Sequence, residues 1–221
     1  MMNRILMSEM VTVKIDPRKP EKDIIARAAA LLKKGGLVVA PTETRYGLLT
    51  RADRGEALSK LSRVKKRPPT VPVAIFVGKV EDIHRYGRMT PSARVLAEAF
   101  LPGPLTLVLD AVTDGGAPLV VAGKIGLRCS SSPVIQALVD AVNLPLTATS
   151  ANRYGQPEFE TTAEIAASLG DEVELYLDAG VLDKPTSTVV DCSGTEPRLL
   201  REGYILKEKI ETVLNKQVGH E

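Results

Sequence analysis

The hydrophobic period along the chain switches repeatedly between two residues and three to four, the pattern of strands interleaved with helices. Residues 11–15 (VTVKI) alternate and are β-branched, which predicts a strand. After Pro20, the apolar residues Ile24, Ile25, Ala28, Leu31 and Leu32 share one helical face, and Gly35-Gly36 supplies a C-terminal stop. Residues 37–40 form a short apolar strand that Pro41 halts by forcing Ala40 extended. Residues 41–44 then fall in a loop at a strand's carboxyl end, where ligands usually bind in open α/β sheets.

Further along, residues 56–66 read as a helix with Ala57, Leu58 and Leu61 inward, terminated by Pro68-Pro69. The apolar run 73–77 predicts a buried strand. A helix over 91–100, with Val95, Leu96 and Ala99 inward, leads through the Pro102-Gly103-Pro104 turn into a strand over 105–109. Strands at 125–128, 145–148, 173–177, 187–191 and 198–201 and helices at 133–142, 162–169 and 207–216 complete the pattern. The interleaving predicts an α/β fold: a single domain over residues 1–205 with a twisted, mixed β-sheet and helices packed on it, followed by a C-terminal helix and tail over 206–221.

At 221 residues, 44% hydrophobic and 25% charged, the chain is neither disordered, collagen-like nor a disulfide scaffold. A net charge of +2 gives no whole-protein argument for nucleic acid or a membrane. No stretch approaches the ~18 uninterrupted apolar residues of a membrane helix. The opening segment has no apolar run of signal-peptide type, and its methionines at 1, 2, 7 and 10 leave the start codon open. Cys129 and Cys192, 63 residues apart, read as free thiols in a reducing compartment, which points to the cytoplasm. With His84 and His220 they make no ligand pair at zinc spacing, so no metal site built from protein side chains is expected. Neither common phosphate loop occurs, nor a G-x-S-x-G elbow, nor H-E-x-x-H. His84 and a frayed His220 do not supply a catalytic triad. Any chemistry therefore rests on positioning and fixed charge.

Three local clusters carry candidate chemistry. Between Arg54 and Lys79 there are seven basic residues and one acid. A solvated helix face would explain any one of these lysines. Lys65 and Arg67, however, stand just before a stiff Pro-Pro, and an ammonium beside a guanidinium fork suits polyphosphate. Both are expected to face solvent in a cleft. Residues 147–152 (TATSAN) follow a strand with small side chains, hydroxyls and an amide. They read equally as a helix cap or as a wall that lets a ligand approach the backbone. Residues 41–47 (PTETRYG) put two threonines, an acid and a tyrosine at a strand end, as a plain turn or as a small polar pocket.

Seven stretches together resemble the YrdC-like threonylcarbamoyl-adenylate synthases: PTETRYGL at 41–48, KKRP at 65–68, LPGPLTLVL at 101–109, GLR at 126–128, SAN at 150–152, STVVD at 187–191 and LLREG at 199–203. They occur in the family's order, and the short, single-domain form is the one they resemble. The Lys-x-Arg and Ser-x-Asn pairs, here Lys65, Arg67, Ser150 and Asn152, are the family's diagnostic constellation. The resemblance implies that L-threonine, bicarbonate and ATP react to give threonylcarbamoyl-AMP and pyrophosphate for t6A37 modification of tRNA. Mg²⁺ accompanies ATP, and tRNA threonylcarbamoyl-transfer proteins are downstream partners.

The resemblance also implies residue roles. Lys65, Arg67, Ser150 and Asn152 are catalytic and hold ATP together with Thr106 and Arg201. Arg128 clamps the threonine carboxylate, and Thr42, Tyr46 and Ser187 complete the amino-acid pocket. The chain departs from the family's usual residues at Arg45, Val71, Phe76, Leu101, Glu202 and the stretch 129–132, which bear on substrate choice more than on nucleotide binding. Two other readings use the same groove: an RNA-binding protein without catalysis, with direct tRNA contact, and a related enzyme making a carbamoyl-adenylate on a different acceptor. Eight Phe and Tyr with no Trp argue against single-strand stacking platforms, but not against duplex RNA read by its backbone.

Overall fold

The computed structural model describes residues 11–220 apart from 113, 115 and 117, so the methionines at 1, 2, 7 and 10 lie outside the described residues. In chain order the elements are β1 (Val11–Lys14), α1 (Lys22–Lys33), β2 (Val38–Pro41), β3 (Tyr46–Leu49), α2 (Gly55–Lys65), β4 (Ala74–Phe76), α3 (Pro91–Phe100), β5 (Leu105–Asp110), β6 (Val120–Val121) and β7 (Lys124–Arg128). There follow α4 (Pro133–Val142), β8 (Leu146–Ser150), α5 (Thr162–Leu169), β9 (Leu175–Asp178), β10 (Thr188–Asp191), β11 (Arg198–Arg201), α6 (Lys207–Leu214) and β12 (Gly219–His220). Two 3-10 turns, Val80–Arg85 and Gly170–Glu172, join them. Among the described residues the twelve strands form one mixed sheet in the order β1-β9-β2-β3-β8-β4-β7-β5-β10-β11-β12, with β6 paired to β7.

Strand alternation sends side chains to two faces, and the faces are covered unequally. Leu37, Val39, Leu48, Ile75, Leu107 and Leu127 point to one face and pack with Leu61 of α2, Leu96 of α3, Ile165 of α5 and Ile210 of α6. On the other face Val38, Ala40, Leu49, Leu146 and Leu175 pack with Leu32 of α1 and Leu138 of α4. The helices α1 and α4 contact each other and β2. Among the described residues the second core includes none from β7, β5 or β10, and that half of the sheet is left as a floor.

The helix ends follow the sequence signals. Thr161 opens α5 with a capping box against Glu164, and Ser132 and Thr90 cap α4 and α3 with a proline at the next position. Leu101 N donates to Ala97 O and α3 stops there, before Pro102.

Four expectations change. The loop placed after residue 40 is a hairpin: β2 runs through Pro41 and returns as β3, with Pro41 opposite Tyr46. Thr42 N donates to Arg45 O at 3.2 Å, which makes Pro41 a non-hydrogen-bonded position of the hairpin. Its missing N–H faces the side where β9 has already stopped pairing, at Val39. In α3 the buried face is Ala93, Leu96 and Ala97, while Val95 is 40% exposed and Ala99 is exposed. Residues 93, 96 and 97 belong to the core cluster that also holds Ile210 of α6, and bulk alone misled the choice of Val95. Lys65, expected to face solvent, ends α2 buried. The end at His220 is not frayed, because Gly219–His220 pairs with β11 and buried Val218 anchors it.

Leu138 has no exposed surface and joins α4 to the sheet. Leu138→Ala is expected to cost about 3 kcal/mol of unfolding free energy, read from the urea midpoint at unchanged slope. A cost below about 1 kcal/mol would mean that the α1–α4 layer is not a packed core.

Candidate functional site

The floor carries a cavity of about 470 Å³. Its position follows from register. Gly126 faces Val108 across β7 and β5, and Ile75 faces Leu127 across β4 and β7, so Ala74 and Gly126 are neighbours on the cavity side. Ala148 lies opposite Ala74 on the next strand. The middle of the floor is thus methyl groups and a glycine. A Cβ on Gly126 would stand 2.9 Å from the Ala74 Cβ, closer than side chains approach, so this position holds the floor flat. Polar groups gather around it. Thr106 lies beside Arg128 by register and is joined there by Ser187 and Arg201; Lys124 stands toward the other end of β7, and Arg67 and Ser150 line the cavity from the β4–β8 side. Arg128 and Lys124 are four residues apart on one strand face, so the ends are separated by about 13 Å.

The Lys-x-Arg segment is split by handedness. Lys65 is the last residue of α2, and Lys66 adopts the left-handed conformation at φ 49°. Lys66 N bonds Arg63 O at 3.0 Å and Arg67 N bonds Ser62 O at 2.9 Å, a C-terminal cap made without glycine. The turn sends Lys65 inward and Arg67 into the cavity. Lys65 is 1% exposed. Its ammonium donates to Ser150 O, to Asn152 O at 2.7 Å and to Asn152 Oδ1 at 3.3 Å. It therefore braces the far wall rather than lining the cavity. Burial pulls its pKa from 10.5 down to about 7, Arg67 adds to the fall, and Glu158 opposes it. Three carbonyl acceptors around three donors favour the charged form in turn.

Arg67 reaches the cavity with its guanidinium bonded to Pro72 O and stacked 5.6 Å from the Tyr154 ring centroid. Ser150 Oγ donates to Asn152 Oδ1 at 2.6 Å, and Asn152 Nδ2 donates to Gln156 O at 2.6 Å. Asn152 is therefore engaged in shaping the 150–157 loop. Of the four residues of the constellation, Arg67 and Ser150 face the cavity, while Lys65 and Asn152 lock the two walls together behind them.

Arg128, 8% exposed, donates from Nη2 to Glu43 Oε1 at 2.8 Å and to Thr44 Oγ1 at 3.1 Å. Ser130 Oγ donates to the second oxygen of Glu43, and Phe76 lies under the guanidinium at 5.4 Å. The buried Arg128 Nε has no hydrogen-bond partner. Thr106 and Arg201 converge on Ser187: Thr106 Oγ1 is 3.2 Å from Ser187 Oγ, and Arg201 Nη2 donates to the same oxygen at 3.1 Å. Burial lowers the pKa of Arg201; Glu158 counters this and Arg128 adds to it. The residues expected on the nucleotide side, Thr106 and Arg201, thus share a hydroxyl with Ser187, expected on the amino-acid side.

Thr42 and Tyr46 line the cavity with their hydroxyls already occupied. Thr42 Oγ1 donates to Arg45 O at 2.6 Å. Tyr46 Oη donates to Gly180 O at 2.7 Å and accepts from Ala179 N at 2.9 Å. Burial raises its pKa to about 12, against the effect of the Ala179 hydrogen bond. Arg45 also lines the cavity, donating to Glu160 and to Leu182 O.

The sequence did not mark Lys124, Asp191 and Glu158 as site residues, yet all three line the cavity. The signal for the first two was alternation. Lys124, Gly126 and Arg128 share one face of β7, as Val189 and Asp191 share one face of β10. Across the lining there are five cations, Arg45, Arg67, Lys124, Arg128 and Arg201, against Glu158 and Asp191. Among the described residues no three His, Cys, Asp or Glu converge as a metal cluster, and no helix is long and apolar enough to cross a membrane.

The fold is an α/β sheet with a cation-rich cavity on one half. The chain belongs to the Sua5/YciO/YrdC family, whose model, described as Telomere recombination, matches residues 30–203. It is 34% identical over 212 residues to the threonylcarbamoyl-AMP synthase of Bacillus subtilis, covering 92% of this chain and 59% of that protein. A crystal structure of Pyrococcus abyssi Sua5 complexed with L-threonine superposes with a TM-score of 0.86 at 30% identity, over 96% of this chain and 62% of that one. Escherichia coli YciO superposes with a TM-score of 0.80 at 26% identity, over 88% of this chain and 96% of that one. The chain therefore spans about three fifths of the first two relatives and nearly all of the third.

Because the folded-state pKa of Lys65 lies below its unfolded value, the native protein holds fewer protons there between about pH 7 and 10. Its contribution to stability grows as pH rises through that window and is lost as pH falls to 7. Lys65→Met leaves carbonyls unpaired and is expected to destabilise by about 3 kcal/mol. The gap between wild type and variant in urea midpoint should widen from pH 7 to 9.5. A constant gap would show that Lys65 keeps its proton throughout.

Proposed function

We propose that this protein is an L-threonylcarbamoyladenylate synthase, acting on L-threonine, bicarbonate and ATP. The observation that carries the reading is a single cavity lined by a buried guanidinium and by a separate guanidinium–hydroxyl pair, over a flat apolar floor. Arg128, fixed by Glu43 and resting on Phe76, clamps the threonine carboxylate with its guanidinium. Arg67 and Ser150 receive the polyphosphate, and the brace of Lys65 and Asn152 fixes their separation. The similarity to the B. subtilis synthase supports the same reaction, and the Pyrococcus abyssi Sua5 complex supports L-threonine as the amino acid.

In the proposed reaction the nitrogen of threonine adds to bicarbonate-derived CO₂ and loses a proton to form the carbamate. A carbamate oxygen then attacks the α-phosphorus of ATP, the bond to the β-phosphate oxygen breaks, and pyrophosphate leaves with its magnesium. Mg²⁺ enters with ATP as substrate. No residue needs to be acylated or phosphorylated, so the side chains act by alignment and by neutralising charge on the α-phosphate and the leaving pyrophosphate. The product supplies t6A modification of tRNA in the cytoplasm through a downstream transfer protein.

Pyrophosphate release should require ATP, L-threonine and bicarbonate together. Arg67→Ala should lower kcat/KM for ATP about 100-fold, and Arg128→Ala should chiefly raise the KM for threonine. Release without threonine would assign the site to another acceptor, to which Arg45 at the cavity edge lends its charge. No release, with salt-sensitive binding to duplex RNA, would replace the enzyme by an RNA-binding protein.

A further inference from the structure

Lys124 has a place in the cavity that the family motifs do not give it. It stands two residues before the GLR stretch, on the β7 face that carries Gly126 and Arg128. On its strand edges Lys124 pairs with Val121 of β6 and Asp110 of β5, and Val121 and Pro72 line the same cavity. Pro72 is the residue whose carbonyl receives the Arg67 guanidinium. Two cations from separate segments thus line one cavity together with Ser150.

The resting partner of Lys124 is Asp191. The Nζ–Oδ2 distance is 2.7 Å, and the side chains are 41% and 13% exposed respectively. The two halves of the pair are held differently. Asp191 Oδ1 accepts from Ser193 N at 2.9 Å and from Ser193 Oγ at 2.6 Å, which fixes the carboxylate at the end of β10. Lys124 has this one ion pair and a flexible four-carbon stem open to the cavity. A partly exposed pair of this kind is worth little in water. A polyphosphate, with several charges, competes well for the ammonium. Asp191 has two further hydrogen bonds and does not have to move.

We propose that Lys124 is a third polyphosphate-binding cation, docked on Asp191 in the free protein and transferred to the phosphate chain when nucleotide binds. The inference rests on the reading of this cavity as an ATP site and extends it. Arg67 and Ser150 hold one side of the phosphate chain, and Lys124 closes on it from the β5–β10 side. Asp191 sets the threshold: it repels the anion until Lys124 turns, and it receives the ammonium again when pyrophosphate departs.

The test measures inorganic pyrophosphate binding by calorimetry to wild type, Lys124→Met, Lys124→Arg, Asp191→Asn and the Lys124→Met/Asp191→Asn double variant. Lys124→Met should weaken binding about tenfold and Lys124→Arg should restore most of it. Asp191→Asn should tighten binding, and the tightening should be smaller in the Lys124→Met background, because part of it comes from releasing that ammonium. Titration with L-threonine should give one affinity across the set. Pyrophosphate affinity unchanged by Lys124→Met, or Asp191→Asn tightening equally with and without Lys124, would overturn the inference while leaving the ATP site in place. Failure of wild type to bind pyrophosphate at all would overturn both.

Discussion

The ammonium of Lys65 is the contact on which the site depends. It ends α2 and meets the backbone carbonyls at the end of β8, so it ties a helix from one part of the chain to a strand eighty-five residues later. A buried cation with carbonyl partners is an expensive arrangement unless every donor is used, and here the three donors meet Ser150 O, Asn152 O and Asn152 Oδ1. The geometry leaves little freedom. If β8 shifted by a residue, Lys65 would lose its acceptors and Ser150 would leave the cavity with them. Tyr154 N donating to Lys65 O at 2.7 Å closes the joint from the other side.

The cavity lining solves a different electrostatic problem. Arg128, Arg201 and Arg67 would repel one another if each were bare. Each is instead given a polar collar: Glu43 and Thr44 for Arg128, Ser187 for Arg201, Pro72 O and Tyr154 for Arg67. The collars are mostly neutral carbonyls and hydroxyls, so they orient the guanidinium groups without cancelling the positive field. The one carboxylate collar, Glu43, is shared with Ser130 and occupies only one edge of Arg128.

Much of the fold was legible because the elements repeat their chemistry locally. The apolar stripe of α1, the strand 73–77 and the proline-started helices α3 and α4 each announce themselves within ten residues. The hairpin at 42–45 was hidden by Pro41, whose cost depends on which side of the strand has a neighbour. The stripe of α3 was misread because Val95 outweighs Ala93 and Ala97 in hydrophobicity, whereas the helix that covers it decides the stripe. In the site, the motif residues gather around one cavity, but motif spacing does not tell whether a side chain faces ligand or backbone. Lys65 and Asn152 turned out to serve the backbone. Lys124 and Asp191 could only be found by extending strand alternation outward from Arg128 and Val189.

Lys66 draws a last consequence from the φ of 49° at the end of α2. Its side chain is exposed, and its backbone sets its two neighbours in opposite directions. The middle letter of the Lys-x-Arg signature is thus a mirror rather than a blank: asparagine or glycine would suit that mirror, and valine or isoleucine would crack it. What this segment holds is a change of hand, with one positive charge set in the masonry and the next left at the window.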